Sequence, residues 1–536
     1  MIPARYIVEG FLKVLTPLAI RLGHEGTDFP AMAPEVEPNA PPQLEGANAG
    51  PAPIAAIELD HRGLPFLPAT AIKGLLRSHA ASALDDQYAE MIQRLLGDLP
   101  RKGADAANPL ADAATGGIVD FRHAFLPPGC QPQARPAIRG RTALHEGSRT
   151  AEEGQLRHDR IVAPGTEFPV TILLTRATAQ DVATLLALLA LIGGADAASA
   201  LGAGAAQGDG RVAWTLVSVR QFGPAEAVAW VNAPAGTGWQ DHATEISLAP
   251  ALLTTRSDLR IDLQLALQIE GHFLVGAQEI YTNDKGKEAR RTRPYRVDAD
   301  DERIARLAGS SLDGALRAQA RRIYRTISGD TKPWSADDTD LPPAFEALFG
   351  SPRQGSMLEV ETFLFSAKKL VEHEFVAIDR LSGGSADEKK FALKAFEAPL
   401  LTGTLRLVMQ RSVTPSLTGK SGMTLAVGIS LPAIGLLALT LKDLASADIP
   451  LGHGTRKGYG GVAALTFANG GWRALLEHLG AEAARMAGSV PSLEALERLA
   501  PHAVIELAVT ALHDEAMAWA TKRGVLAPAV AEGVTE

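Results

Sequence analysis

Aromatic side chains are scarce in this chain of 536 residues, 5% against 46% hydrophobic residues overall, so its interior must be built from Leu, Val, Ile and Ala. Cysteine is nearly absent: Cys130 stands alone, which excludes an intramolecular disulfide. No Cys/His group has the spacing of a structural zinc site, so no metal ligands are assigned and a reducing compartment, the cytoplasm, is the expectation. The opening residues lack the charged start, unbroken apolar core and small-residue cleavage site of a secretion signal. The most apolar run, Val182 to Gly193, is too short for a bilayer and reads as a buried helix, so no membrane partner is expected. Also missing are a Gly-Lys-Ser/Thr phosphate loop, a Gly-x-Ser-x-Gly elbow and a His-Glu-x-x-His pair. Net positive charge is absent as well: at -9 formal charges the chain cannot coat nucleic acid by charge alone, which leaves a local basic groove as the way to bind it. Arginines gather at Arg135, Arg139, Arg141, Arg149, Arg157 and Arg160, and again at Arg290, Arg291, Arg293 and Arg296.

What the chain does have is a repeat of itself. Its length calls for two domains, and five landmarks recur in one order. A strand-like run opens each copy, at Arg5 to Leu15 and at Leu259 to Ile269, and a long polar stretch follows, at Gly23 to Pro53 and at Gly276 to Asp301. An amphipathic helix comes next, beginning near Thr70 in one copy and near Ser310 and Ser311 in the other, whose hydroxyls are expected to cap it. Gly74 and Gly314 lie just inside these helices, where glycine costs stability, and predict close backbone packing. Leu95-Leu96-Gly97 and Leu348-Phe349-Gly350 each precede a strand. The segments Leu144 to Leu156 and Ile378 to Lys390, rich in Gly, Ser and charge, read as projecting β-hairpins. Last, an apolar helix leads into a glycine-rich loop, at Leu201 to Val212 and at Leu451 to Val462. These loops follow helices, not first strands, so they lack the dinucleotide-binding context.

Strand, helix, further strands, helix and strand make one split βαβ unit. The fold class is therefore α+β, two tandem ferredoxin-like, RRM-like domains with long insertions and hairpins. Residues 1–222 form the first domain, 223–252 a linker, 253–468 the second domain and 469–536 a helical extension, the last from the apolar periodicity of Trp472 to Leu479 and Val504 to Leu512.

These landmarks resemble the RAMP superfamily, and within it the tandem backbone subunits of type III CRISPR effector complexes. The resemblance covers about Arg5 to Phe467. It rests above all on the Ser-Ser-Leu-x-Gly-x-Leu-Arg helix start, kept at Ser310 to Arg317 and altered at Ala69 to Gly74, and on the glycine-rich loops. It implies a protein lying along a CRISPR guide RNA and its complementary target RNA among other effector subunits, with each hairpin acting as a thumb. Base pairing would read the sequence, so the protein needs contacts only to the RNA backbone, made by a glycine-rich loop and a helix N-terminus. Lys73, Arg77, Arg141, Arg160, Ser310, Ser311, Arg317, Arg456, Lys457 and Tyr459 are the RNA-contact candidates on this basis. The same resemblance implies that target cleavage depends on an aspartate between first strand and first helix, with Mg2+ as the divalent ion it would engage. Asp28 and Asp284 rank first, ahead of Asp60, Asp298, Asp300 and Asp301. A non-catalytic backbone subunit and an endoribonuclease that processes CRISPR RNA remain open alternatives. His145, His158 and His453 could act as general acid or base, but as lone loop histidines they are read as structural or surface residues.

Overall fold

A computed structural model of the chain describes residues 4–21, 54–55, 57–84, 86–97, 116–127, 137–144, 151–193, 200–254, 260–282, 288–294, 304–330, 334, 341–351, 355–366, 369–408, 411–414, 424–427, 431–477 and 501–525. The chain divides into two compact units, Met1–Ser257 and Asp258–Glu536.

In the first unit, β1 (Ala4–Val14) turns Tyr6, Val8, Leu12 and Val14 inward and leaves Phe11 and Lys13 exposed. That is the period-two alternation of a strand covered on one face. After it come α1 (Ala69–Ala83), α2 (Ala89–Leu96), β2 (Val119–Phe121), β3 (Ala137–Leu144), β4 (Ala151–Ile161), β5 (Glu167–Ala177), α3 (Ala179–Ala190), β6 (Val212–Phe222) and α4 (Pro224–Val231). The main sheet runs β6-β1-β5-β2, with β1 antiparallel to both neighbours. Ile72, Leu75 and Leu76 of α1 and Val182, Leu185 and Leu189 of α3 share one core with Val8, Leu12 and Ile172 of the sheet. This is the ferredoxin-like order.

The second unit repeats it. Its elements are β7 (Arg260–Glu270), β8 (Gly276–Thr282), β9 (Glu288–Pro294), α5 (Gly309–Ser328), α6 (Pro343–Phe349), β10 (Leu358–Val360), β11 (Leu370–Ile378), β12 (Ser385–Glu397), β13 (Leu400–Val408), α7 (Leu431–Ala445) and β14 (Gly461–Phe467). Here β7 lies between β13 and β14, antiparallel to both, and β10 pairs with β13. Helix α5 presents Leu312, Leu316, Ala320 and Tyr324, one residue every four, to the core, as a 3.6-residue period requires.

Both segments read as hairpins are hairpins: β3 pairs antiparallel with β4, and β11 with β12. In each unit the chain between first strand and first helix returns to the hairpin's second strand. Ile54–Ala55 runs parallel to β4, and β9 runs parallel to β12. The stretch from Gly276, read as a polar loop, thus contains the β8/β9 hairpin.

Several local expectations are corrected. The helices begin two residues before Thr70 and Ser310: the N-caps are Pro68 and Ala308, at φ/ψ of -59°/140° and -60°/139°, neither offers a capping side chain, and at α1 the Ala69 amide donates instead to His123 Nδ1 at 3.2 Å. Thr70, Ser310 and Ser311 lie inside the first turn, where a hydroxyl no longer faces the free amides. Nor do Gly74 and Gly314 permit close packing. Both are exposed, and a Cβ on either would meet nothing within 4 Å.

Residues beyond β6 continue the first unit. A helix, Pro224–Val231, follows, Thr244–Glu245 pairs with β6, and Phe222, Trp230 and Trp239 pack edge to face. The helix Pro501–Lys522 likewise belongs to the second unit's core through Leu512, Ala516 and Trp519. Its Glu515 Oε1 accepts from the Tyr324 hydroxyl of α5 at 3.2 Å and from the Ala344 amide of α6 at 2.9 Å. Leu512→Ala, at a fully buried position, should cost about 2–5 kcal/mol. Urea titration should show the second unit's transition moving to lower denaturant while the first unit's stays in place.

Candidate nucleic-acid interface

The two glycine-rich loops are built alike residue by residue. Gly202, Gly204, Gly208 and Gly210 have φ of 81°, 86°, 77° and 76°, and Gly452, Gly454, Gly458 and Gly460 have 83°, 80°, 82° and 81°. All eight sit in the left-handed region that only glycine enters freely. Between the inner pair a single 3-10 turn forms, Ala205–Gln207 in one unit and Thr455–Lys457 in the other. A Cβ at Gly210 would lie 2.0 Å from the Leu201 carbonyl oxygen, and one at Gly460 would lie 1.9 Å from that of Leu451.

Each loop is tied to the strap of chain that follows the unit's first strand. In the first unit the Ala203 amide donates to Ala19 O at 2.8 Å and the Gly210 amide to Pro17 O at 2.8 Å. In the second, His453 N donates to Leu274 O at 2.6 Å and Gly460 N to His272 O at 2.9 Å. The strap's other edge belongs to the hairpin. Leu18 and Val162 exchange backbone bonds of 3.1 and 2.7 Å, while His272 and Phe273 pair with Glu397 and Phe396. Strap, loop and hairpin base therefore meet at one corner in each unit.

The corners differ in side chains. In the first unit the strap's Arg21 meets the buried Asp159 of β4 at 3.0 Å. In the second, the His272 and His373 rings touch edge to face with centroids 4.2 Å apart, and the Tyr459 hydroxyl shares a short hydrogen bond with His373 Nδ1. Burial first, and His373 second, hold the His272 imidazole below its ordinary pKa, and burial pushes the Tyr459 phenol up. Imidazoles and a phenol gathered at a half-buried corner can exchange protons with a bound polar ligand. These histidines escape sequence reading because His272 and His373 lie about a hundred residues apart and only the strand pairing of strap and hairpin joins them.

The remaining sequence candidates fall into distinct environments. Arg77 Nη2 donates to the Leu96 and Gly97 carbonyls at 2.6 and 3.0 Å, and Arg317 Nη1 to Phe349 O at 3.1 Å. Both arginines thus fasten the first helix of their unit to the end of the second. Lys73 and Arg160 are half-buried without an ion pair among the described residues. Arg141 stands opposite Arg157 in the first hairpin. Ser310 is half-buried and Ser311 exposed at the start of α5, while Arg456 and Lys457 are exposed on the second loop, Lys457 Nζ lying 5.9 Å from the Phe375 ring. Tyr459 is 4% exposed and acts on the loop from within. Asp28, Asp284, Asp298, Asp300, Asp301 and His145 lie outside the described residues. Asp60 accepts from the Arg62 and Leu64 amides at 2.8 and 3.0 Å, the pattern of a turn-forming acid. Among the described residues no cluster of His, Cys, Asp and Glu is set to hold a metal ion, and no helix is long and apolar enough to cross a membrane.

The helix starts offer bare backbone. Thr70 N and Ser310 N have no acceptor among the described residues, and one turn on, Gly74 and Gly314 expose main chain with open space in front of it. Alanine there should stabilise the free protein by about 0.5–1 kcal/mol. If an RNA backbone packs on this face, Gly74→Ala and Gly314→Ala should each raise the melting midpoint while weakening RNA binding in a filter assay. Stabilisation with unchanged affinity would show that the face is not used.

Two regions, residues 11–213 and 254–463, match the family model for the RAMP superfamily. No curated protein matches the chain. The matched regions coincide with the two ferredoxin-like units and take in both glycine loops and both hairpins, and on this coverage the chain belongs to the RAMP superfamily of CRISPR-associated RNA-binding proteins.

Proposed function

We propose that the chain is a backbone subunit of a type III CRISPR ribonucleoprotein, acting in the cytoplasm in antiviral defense, where its tandem modules bind guide RNA and the complementary target RNA. The observation that carries this reading is the doubled corner, a glycine loop and a hairpin base joined to one strap in each unit. A subunit of this kind needs the same backbone-reading device at successive places on one strand, and base pairing leaves it no bases to read. Few exposed aromatics are required, in keeping with a chain that does not stack bases.

Target cleavage is the finer part of the proposal. Asp28 and Asp284 would each serve one module, holding Mg2+ and orienting the 2'-hydroxyl that attacks the adjacent phosphate. Replacing each by alanine, singly and together, in the reconstituted complex should remove one and then both cuts in a labelled complementary RNA. Wild-type cutting in the double variant would exclude these residues, and an uncut target with the unaltered protein would leave a purely structural subunit.

The His272–His373 contact favours a second reading, an endoribonuclease that processes CRISPR RNA, since RNA transesterification needs only an acid and a base. A purified chain that cuts a repeat hairpin in EDTA, and loses this on His373→Ala, would support it.

A further inference from the structure

The two loops superpose in sequence with a constant offset of 250 residues: Gly202, Gly204, Gly208 and Gly210 answer to Gly452, Gly454, Gly458 and Gly460, with matching φ and matching backbone bonds. Every other loop position can therefore be compared directly. Arg456 corresponds to Ala206, Lys457 to Gln207, Tyr459 to Asp209, and on the straps His272 corresponds to Pro17. The second loop carries two exposed cations and the first carries no exposed one: its single cation, Arg211, is 8% exposed and its carboxylate, Asp209, 5%. Accessibility differs in the same direction. Positions 456, 457 and 458 are exposed, whereas 206 and 207 are half-buried and 208 is buried.

From this we infer that the modules are unequal in their grip on RNA: the second unit's loop binds the phosphodiester backbone through Arg456 and Lys457, and the first unit's loop is a structural brace that contacts no phosphate. This rests on the RNA-binding reading above and adds which corner holds the charge of the strand. Backbone geometry alone cannot be the recognition element, because it is the same in both loops. Only the second adds the cations that displace counterions from a polyanion. The Tyr459–His373 hydrogen bond and the Lys457–Phe375 contact further tie the second loop to its hairpin, so a strand held there lies at the hairpin's base.

The test is a matched pair of charge insertions in the full chain, Arg456→Glu with Lys457→Glu against Ala206→Glu with Gln207→Glu. Binding of a single-stranded RNA is measured by fluorescence anisotropy across a salt series, with circular dichroism to confirm folding. Each phosphate contact contributes about 0.7 to the slope of log affinity against log salt, so the second-unit variant should flatten the slope by about 1.4. The first-unit variant should change it by less than about 0.7, since charges beyond about 8 Å are screened near physiological salt. If a glutamate pair unfolds its unit, Arg456→Gln with Lys457→Gln gives the same reading for the second loop, and the single charge insertion Gln207→Glu gives it for the first. Equal weakening by both pairs, or an unchanged slope in the second-unit variant, overturns the inference while leaving RNA binding intact. Failure of the wild-type chain to bind RNA would instead bring down the RNA-binding reading and this inference with it.

Discussion

The hydrogen bonds between each glycine loop and the strap after the first strand are what the rest of each unit leans on. Two loop amides reach two strap carbonyls, and they can do so only because four glycines take left-handed φ in a fixed 2-4-2 spacing. An L side chain at the last of them would drive a Cβ into the carbonyl oxygen of Leu201 or Leu451. The strap so held then offers its other edge to the hairpin, and the returning first-strand insertion pairs in parallel with that hairpin. One local backbone constraint thus fixes where a long projection leaves the domain.

Around this shared frame the two units have spent their side chains differently. Arg77 and Arg317 are kept for the same task, carrying a guanidinium from the first helix to the carbonyls that end the second. Burial works against charge on Arg317, and the carbonyl it meets offsets that cost. Where the frame makes no demand, the copies diverge. Lys73 stands where the other helix has Asp313, and the second corner gathers imidazoles and a phenol where the first has an Arg21–Asp159 ion pair. The second unit also recruits a C-terminal helix into its core, with Glu515 bonding to two other helices.

The exposure that Gly74 and Gly314 share is explained neither by folding nor by packing. A helix-weakening residue facing open space in both copies leaves bare main chain beside a helix N-terminus, a surface suited to close approach by an anionic strand.

Much of the architecture was legible from residue order: the duplication, the ferredoxin-like element sequence, both hairpins and both glycine loops are local patterns, and strand alternation and helix period write them into the chain. The helix starts were misplaced because neither Pro68 nor Ala308 carries a capping side chain, and the α1 start instead meets His123, 54 residues away in sequence; the β8/β9 hairpin hid in a stretch whose sequence is polar. The sequence by itself determined the repeated frame, since glycine spacing and apolar periodicity are short-range constraints. Only the tertiary structure decided which candidate residues are spent on the fold and which face outward, separating Arg77, Arg317 and Tyr459 from Arg456 and Lys457, and bringing His272 to His373. Those distinctions depend on strand pairing between distant segments, and burial exists only once the chain has closed on itself.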